Sequence, residues 1–224
     1  MRRFQAFARF KIINIMKNNS TPKWLEWARE IQQLCQTIIT FSESDYDTQR
    51  YIRLTEIAAE ITASHSDLGK DELKENFLAH LGYATPKVDI RAAIIEDNKI
   101  LLVQEAMDNK WAMPGGWADV GESPAAAIIR ETKEESGLDV VPNKIIGVYD
   151  ANRHGRPLEL FHAYKIVFLC EKIGGKLETS VETLAVNYFN FEDLPPLSTS
   201  RTNKKHINDI LAHLNNPSLS TTFE

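Results

Sequence analysis

Between residues 22 and 64 apolar side chains recur three and four positions apart. In the first stretch they stand at Trp24, Trp27, Ala28, Ile31, Leu34, Cys35, Ile38 and Ile39. That is the stripe of one helical face. Thr21 and Pro22 supply an N-cap and a first-turn proline for this helix. The polar run SESDYD breaks it, and a second helix is expected over 46–63, with Tyr51, Leu54, Ile57, Ala58 and Ile61 on its apolar face. A short third helix, DELKENFLAHLG, ends at Gly82. An arm of about sixty helical residues is small for an independent core, so it must pack on the rest of the protein or on a second copy. Ala84-Thr85-Pro86 marks its boundary.

Past Val88 the period changes. KVDIRAAIIEDNKILLVQEA reads as strand, Asp-Asn turn, strand, a direct hairpin signal. The Gly-rich segment WAMPGGWADVGES follows, then a helix over 123–136. Strand patterns come at 143–150, 160–171 and 184–191, and a last helix at 202–214. The fold class expected is α+β, a sandwich of helices on a mixed sheet, preceded by a small all-helical domain. The division expected is a helical domain over 16–84, a second domain over 85–216 and a tail at 217–224.

Composition changes the picture at one end only. MRRFQAFARFKIINI carries Arg2, Arg3, Arg9 and Lys11 without an acid. Residues 1–15 are therefore expected to be an extension outside the folded protein, with Met16 as the working start. A targeting or membrane-surface segment is the alternative. A net charge of −5 argues against duplex DNA as the main partner. No apolar run approaches the ~18 residues that span a bilayer, and a cytoplasmic protein is expected. Cys35 and Cys170 lie far apart without zinc-type spacing, as two buried small hydrophobes would.

The chemistry concentrates in Gly116–Leu138, GWADVGESPAAAIIRETKEESGL. Gly116, Glu122, Arg130, Glu131, Glu134, Glu135 and Gly137 stand at set spacing. At about 6% usage per residue type, such a match arises by chance in roughly one chain in a million of this size. Ser123 caps a helix, Pro124 suits its first position and Gly137 its left-handed end. Glu131, Glu134 and Glu135 are three and four residues apart, on neighbouring faces of one or two turns. Like charges about 4 Å apart repel by roughly 4 kcal/mol at an effective dielectric near 20. They also gather at the negative end of the helix dipole. Arg130 alone cannot neutralise them. A hard divalent cation can, and Mg²⁺ takes carboxylate, water and phosphate oxygens. The plainer reading is a solvated acidic face.

This stretch resembles the Nudix box. The resemblance implies an α/β/α sandwich in which the loop-helix-loop forms a Mg²⁺ site, with Mn²⁺ as a substitute. It implies Glu131, Glu134, Glu135 and the Gly115 carbonyl as metal ligands. It gives Arg130 the task of orienting a glutamate and Glu122 that of tying loop to helix. Where the family has an aliphatic residue this chain has Thr132, tolerable if its hydroxyl bonds back to a helix carbonyl. WLEWAREIQQLCQT, YDTQRYIRLTEIAAEI, PKVDIRAAI, GVYDANRHG and DLPPLSTSRTNKKHI are similar to the Nudix subfamily with a helical N-terminal domain. Its members hydrolyse a nucleoside diphosphate linked to X, of CDP-choline or ADP-ribose type, to nucleoside monophosphate and phosphorylated X. The subfamily also implies a homodimer. Glu134 and Glu135 are then catalytic, and Glu182, in SVETLAV, is the candidate general base, with a surface turn as the alternative. Asp89, Arg91, Arg153 and His154 are candidate substrate contacts, Arg91 as a bidentate phosphate binder. Trp111 and Trp117 flank the Gly-rich segment, to stack on a base or pack the core. Rival functions are a nucleoside triphosphate sanitiser, an RNA 5′-end or exonucleolytic hydrolase, and a non-catalytic ligand sensor.

Overall fold

The computed structural model describes residues 22–151 and 162–224. The chain divides into two compact units, with one boundary between Pro86 and Lys87. Residues 1–15, Arg153 and His154 lie outside the described residues.

The first unit holds α1 (Lys23–Phe41), α2 (Asp45–Ala63) and α3 (Lys70–Ala79). Ala58 and Ala59 of α2 pack with Leu73 and Phe77 of α3, and Ile31 of α1 lies against them. Small residues at the crossing let the helices approach closely. Gln36 donates to the Gly82 carbonyl at 3.1 Å and the Thr40 hydroxyl accepts the Gly82 N–H at 2.8 Å, fastening the chain after α3 to α1. Ser44 caps α2 by accepting the Asp47 N–H. At α1 the N-cap is Pro22, which has no side-chain cap bond, and Thr21 lies outside the described residues.

The single apolar stripe read along α1 divides in two. Leu25, Ala28 and Cys35 are buried, while Trp27, Leu34 and Phe41 are exposed. Apolar residues occupy more of this helix than one core can cover, so periodicity alone does not choose the buried arc. On α2 the buried arc is also displaced from the expected one, to Thr55, Ala58, Ala59 and Thr62. The two threonine hydroxyls bond back to the Tyr51 and Ala58 carbonyls, which hides their polarity inside the helix.

The second unit is a mixed sheet between two helices. Its strands are β1 (Lys87–Glu96), β2 (Lys99–Glu105), β3 (Trp111–Ala112), β4 (Leu138–Asp150), β5 (Ala163–Gly175), β6 (Thr183–Asn190) and β7 (Thr222–Phe223). The spatial order is β3-β2-β1-β5-β4-β7, with β6 on the other side of β2. β1 and β5 run parallel, in register from Lys87–Ala163 to Ile94–Cys170. The β1–β2 hairpin turns on Asp97 and Asn98, both left-handed, at φ 50° and 57°. α4 (Pro124–Ser136) contributes Ala127 and Ile128 to one core, with Ile90, Ala92 and Ile94. α5 (Lys204–Asn215) contributes Ile207 and Ile210 to the other, with Ala93, Met113 and Val167. The expected α/β/α layering is present, with one core on each face of the sheet. β4 starts directly after the α4 cap, earlier than expected. The expected tail ends in β7, an edge strand paired with Gly147 and Val148 of β4. Among the described residues no helix is long and apolar enough to cross a membrane.

Candidate active site

The site is built where the chain leaves β3 and crosses onto β1. The Pro114 and Gly116 carbonyls accept the Ala92 and Ile90 N–H groups, both at 2.9 Å. Gly115, between them, turns its N–H the other way, to Oε2 of Glu135 at 2.8 Å. Its φ is +135°, and a Cβ there would fall 2.1 Å from the Ile90 carbonyl oxygen, so only glycine fits. A Cβ on Gly116 would fall 2.9 Å from a carboxylate oxygen of Glu131. Two adjacent glycines thus admit two carboxylates of α4 to the backbone.

α4 is placed by local chemistry. Ser123 accepts the Ala126 N–H at 3.1 Å, Pro124 opens the first turn and Gly137 ends the helix at φ +75°. On its exposed side Arg130 gathers the acids. Nε and Nη2 donate to the two Glu122 oxygens at 2.9 and 2.8 Å. Nη1 reaches Glu131 at 3.0 Å and Glu134 at 3.2 Å. One guanidinium therefore ties the loop preceding α4 to two of its three glutamates. Burial pushes the Glu131 carboxyl up, against the pull of Arg130. Burial pushes Glu135 up to about 8, although Arg91 and the Gly115 N–H favour its charged form.

Among the described residues no three His, Cys, Asp or Glu side chains converge as a ready metal cage. The reason is visible: Arg130 draws Glu131 and Glu134, and Gly115 holds Glu135. The donors nevertheless fit a hard cation. They are oxygens only, two lie against the Gly115–Gly116 backbone, and burial pushes the Glu135 carboxyl up even with Arg91 near it, a cost that a bound cation would offset.

Residues 86–210 match the NUDIX domain family, and residues 22–77 match the family described as UDP-X-like, N-terminal oligomerisation domain. The chain belongs to the Nudix family. It is a pyrophosphohydrolase of that family. A putative ADP-ribose pyrophosphatase of Bacillus subtilis (strain 168) is 37% identical over 202 residues, 90% of this chain and 97% of the relative. A crystal structure of UDP-X diphosphatase aligns at TM-score 0.59 and 30% identity, over 90% of this chain and 98% of the other. An ADP-ribose pyrophosphatase from Streptococcus suis aligns at TM-score 0.58 and 36% identity, covering 62% of this chain and all of that one.

Behind the Nudix loop lies an ionic cluster that the sequence pattern did not reveal. Asp89 and Arg91 are buried and paired at 2.8 Å, and Lys165 of β5 reaches Asp89 at 2.8 Å. Burial opposes the Asp89 charge, but Arg91 and Lys165 outweigh it and hold the carboxyl at about 2. Arg91 also donates to the Met113 carbonyl at 3.2 Å. Glu105 lies 3.9 Å from Arg91 and 3.1 Å from Arg201, at ion-pair distance without hydrogen-bond alignment. The structure gives Asp89 and Arg91, the candidate substrate contacts, partners inside the protein. Lys165 is a cation flanked by apolar residues in β5. Its partner lies on a strand distant in sequence, so no local spacing discloses it.

The remaining candidates spread around the site. Glu182 is exposed, and its carbonyl accepts the Ala106 N–H at 3.0 Å. The next residue, Thr183, donates its hydroxyl to the Glu135 carbonyl at 3.0 Å. This bond anchors the turn bearing Glu182 to the end of α4. Trp111 packs edge-on against Phe189 at 4.6 Å, in the core, whereas Trp117 is exposed. The Thr132 hydroxyl does not bond back to a helix carbonyl: it is buried and has no hydrogen-bond partner among the described residues. In this helix the back-bond is made instead by Ser136, to the Thr132 carbonyl at 2.6 Å.

Proposed function

We propose that this Nudix enzyme hydrolyses the pyrophosphate of a nucleoside diphosphate linked to X. Water adds across the P–O–P bridge, leaving a nucleoside monophosphate and phosphorylated X. The observation that carries the reading is the pair of α4 carboxylates set against Gly115–Gly116 in a chain whose long relatives are named a putative ADP-ribose pyrophosphatase and a UDP-X diphosphatase. Glu131, Glu134, Glu135 and the Gly115 carbonyl are the residues that would hold Mg²⁺ or Mn²⁺. When bound, the ion neutralises the phosphates and lowers the pKa of a water. Arg130 orients Glu131 and Glu134 and takes no part in proton transfer. Glu135 supplies buried negative charge at the loop. Glu182 takes the proton from the attacking water. The Asp89–Arg91–Lys165 cluster holds the loop from behind through Met113. Two copies of the chain assemble through the helical unit.

A substrate panel with Mg²⁺ tests this: CDP-choline, ADP-ribose, UDP-sugars, deoxynucleoside triphosphates and 5′-triphosphate RNA, with products identified. Nucleoside monophosphate plus phosphorylated X is the expected product pair. Faster release of inorganic pyrophosphate from triphosphates, or turnover confined to RNA, would defeat the proposal.

A further inference from the structure

α1 carries a second apolar arc that its own unit does not cover. Trp27, Ile31, Leu34, Ile38 and Phe41 are spaced four, three, four and three residues apart. At 100° per residue they fall within an arc of about 80°, roughly a third of a turn from the buried Leu25, Ala28 and Cys35. Trp27 is 53%, Leu34 56% and Phe41 58% exposed. Ile31, at the margin, touches the α2–α3 cluster. At the far end Phe41 contacts Tyr83 at 5.2 Å between ring centres, and Tyr83 and Leu81 are themselves exposed. The seam is about 21 Å long. Alternating three- and four-residue spacing is the pattern by which one helix receives another.

We infer that this seam is covered by the same helix of a second copy, laid antiparallel about a two-fold axis at Leu34. The inference rests on the reading that the helical unit assembles two copies, and it names the surface. The match of residues 22–77 to an oligomerisation domain favours a second chain as the occupant. The side chains favour the direction. Leu34 stands seven residues from Trp27 and seven from Phe41. Reversal brings Trp27 opposite Phe41 of the partner subunit and Leu34 opposite its own copy. The surface is thereby self-complementary, as a two-fold contact must be. Antiparallel helices also oppose their dipoles, which a parallel pair would align.

Sedimentation of the full chain tests the surface. Wild type is expected at twice the chain mass. Leu34→Glu is expected to sediment as a monomer with unchanged helical circular dichroism. Gln33→Glu, exposed but off the seam, is expected to remain a dimer. Oxidised Leu34→Cys is expected to cross-link two chains, and Trp27→Cys only when combined with Phe41→Cys; wild type, with Cys35 and Cys170 buried, is the blank. A dimeric Leu34→Glu variant, or absence of the Leu34→Cys cross-link in a dimeric protein, overturns the seam and leaves two-copy assembly standing. Cross-linking by Trp27→Cys alone overturns the antiparallel direction. A monomeric wild type overturns both seam and assembly. Should Leu34→Glu lose helicity, the cross-link decides.

Discussion

At the residue scale two side chains of α4 make opposite demands. Glu135 is a buried acid whose carboxyl is pushed up to about 8 by burial and accepts the Gly115 N–H. Glu135→Gln keeps the volume and an acceptor for Gly115 but removes the charge. Its kcat is expected to fall by at least ~10²-fold, with the melting temperature held or raised. Activity within threefold of wild type would remove Glu135 from the proposed metal site. Thr132 is buried with an unpaired hydroxyl. An unsatisfied buried polar group costs about 1–3 kcal/mol, so Thr132→Val is expected to stabilise the protein by ~1 kcal/mol or more in denaturant titrations, without loss of activity. A destabilised variant would show that the hydroxyl has found a partner. That Thr132 departs from the box was legible in the sequence. Which way its hydroxyl points was not, because χ1 of a buried threonine answers to the packing around it.

At the element scale the loop and α4 act as one piece, joined by Arg130 on the outside and by the two glycines on the inside. Those glycines separate fold from chemistry. At Gly115 an added Cβ meets backbone, the Ile90 carbonyl, which cannot swing away. Gly115→Ala is expected to lose about 2–4 kcal/mol of stability. At Gly116 the added Cβ meets only the end of the Glu131 side chain, 2.9 Å away. Gly116→Ala is therefore expected to lower kcat by more than ~10-fold while the denaturation midpoint moves little. Equal stability losses in the two variants would contradict this division. Arg130→Lys belongs here as well, since one ammonium cannot span Glu122, Glu131 and Glu134 at once.

At the scale of the whole molecule, buried charge links stability to pH and to metal. Glu135 titrates near 4.5 in an unfolded chain and at about 8 in the folded one. Its proton retention favours the fold fully below about pH 4.5, and that contribution is lost as pH rises through about 8. Asp89 runs the other way: from 3.8 unfolded it is drawn down to about 2, so its contribution is present above 3.8 and lost as pH falls through 2. The metal-free protein is thus expected to lose melting temperature relative to Glu135→Gln between pH 4.5 and 8. Mg²⁺ should raise the melting temperature more at pH 8.5 than at pH 6, since at pH 6 it must first displace the proton. Equal shifts at both values, or none in wild type, would contradict the proposed ligand set. EDTA is expected to abolish activity, and Mg²⁺ or Mn²⁺ to restore it.

What the sequence determined by itself was whatever depends on neighbours along the chain. The Asp97-Asn98 turn, the Ser123 cap, the Gly137 stop and the three-and-four spacing of Glu131, Glu134 and Glu135 are properties of a few consecutive backbones, and they identified the box and its family. Tertiary structure decided the rest. It chose which arcs of α1 and α2 are buried, since both helices are apolar over more than one face and only the partner helix selects among them. It turned Asp89 and Arg91 inward, because the parallel β1–β5 register sets Lys165 beside Asp89 across a long crossover. It made β7 of the expected tail, because β4 had an edge to pair. And it brought Gly115 and Gly116 to Glu135 and Glu131, an approach governed by the packing of α4 on the sheet, which no spacing within the box can express.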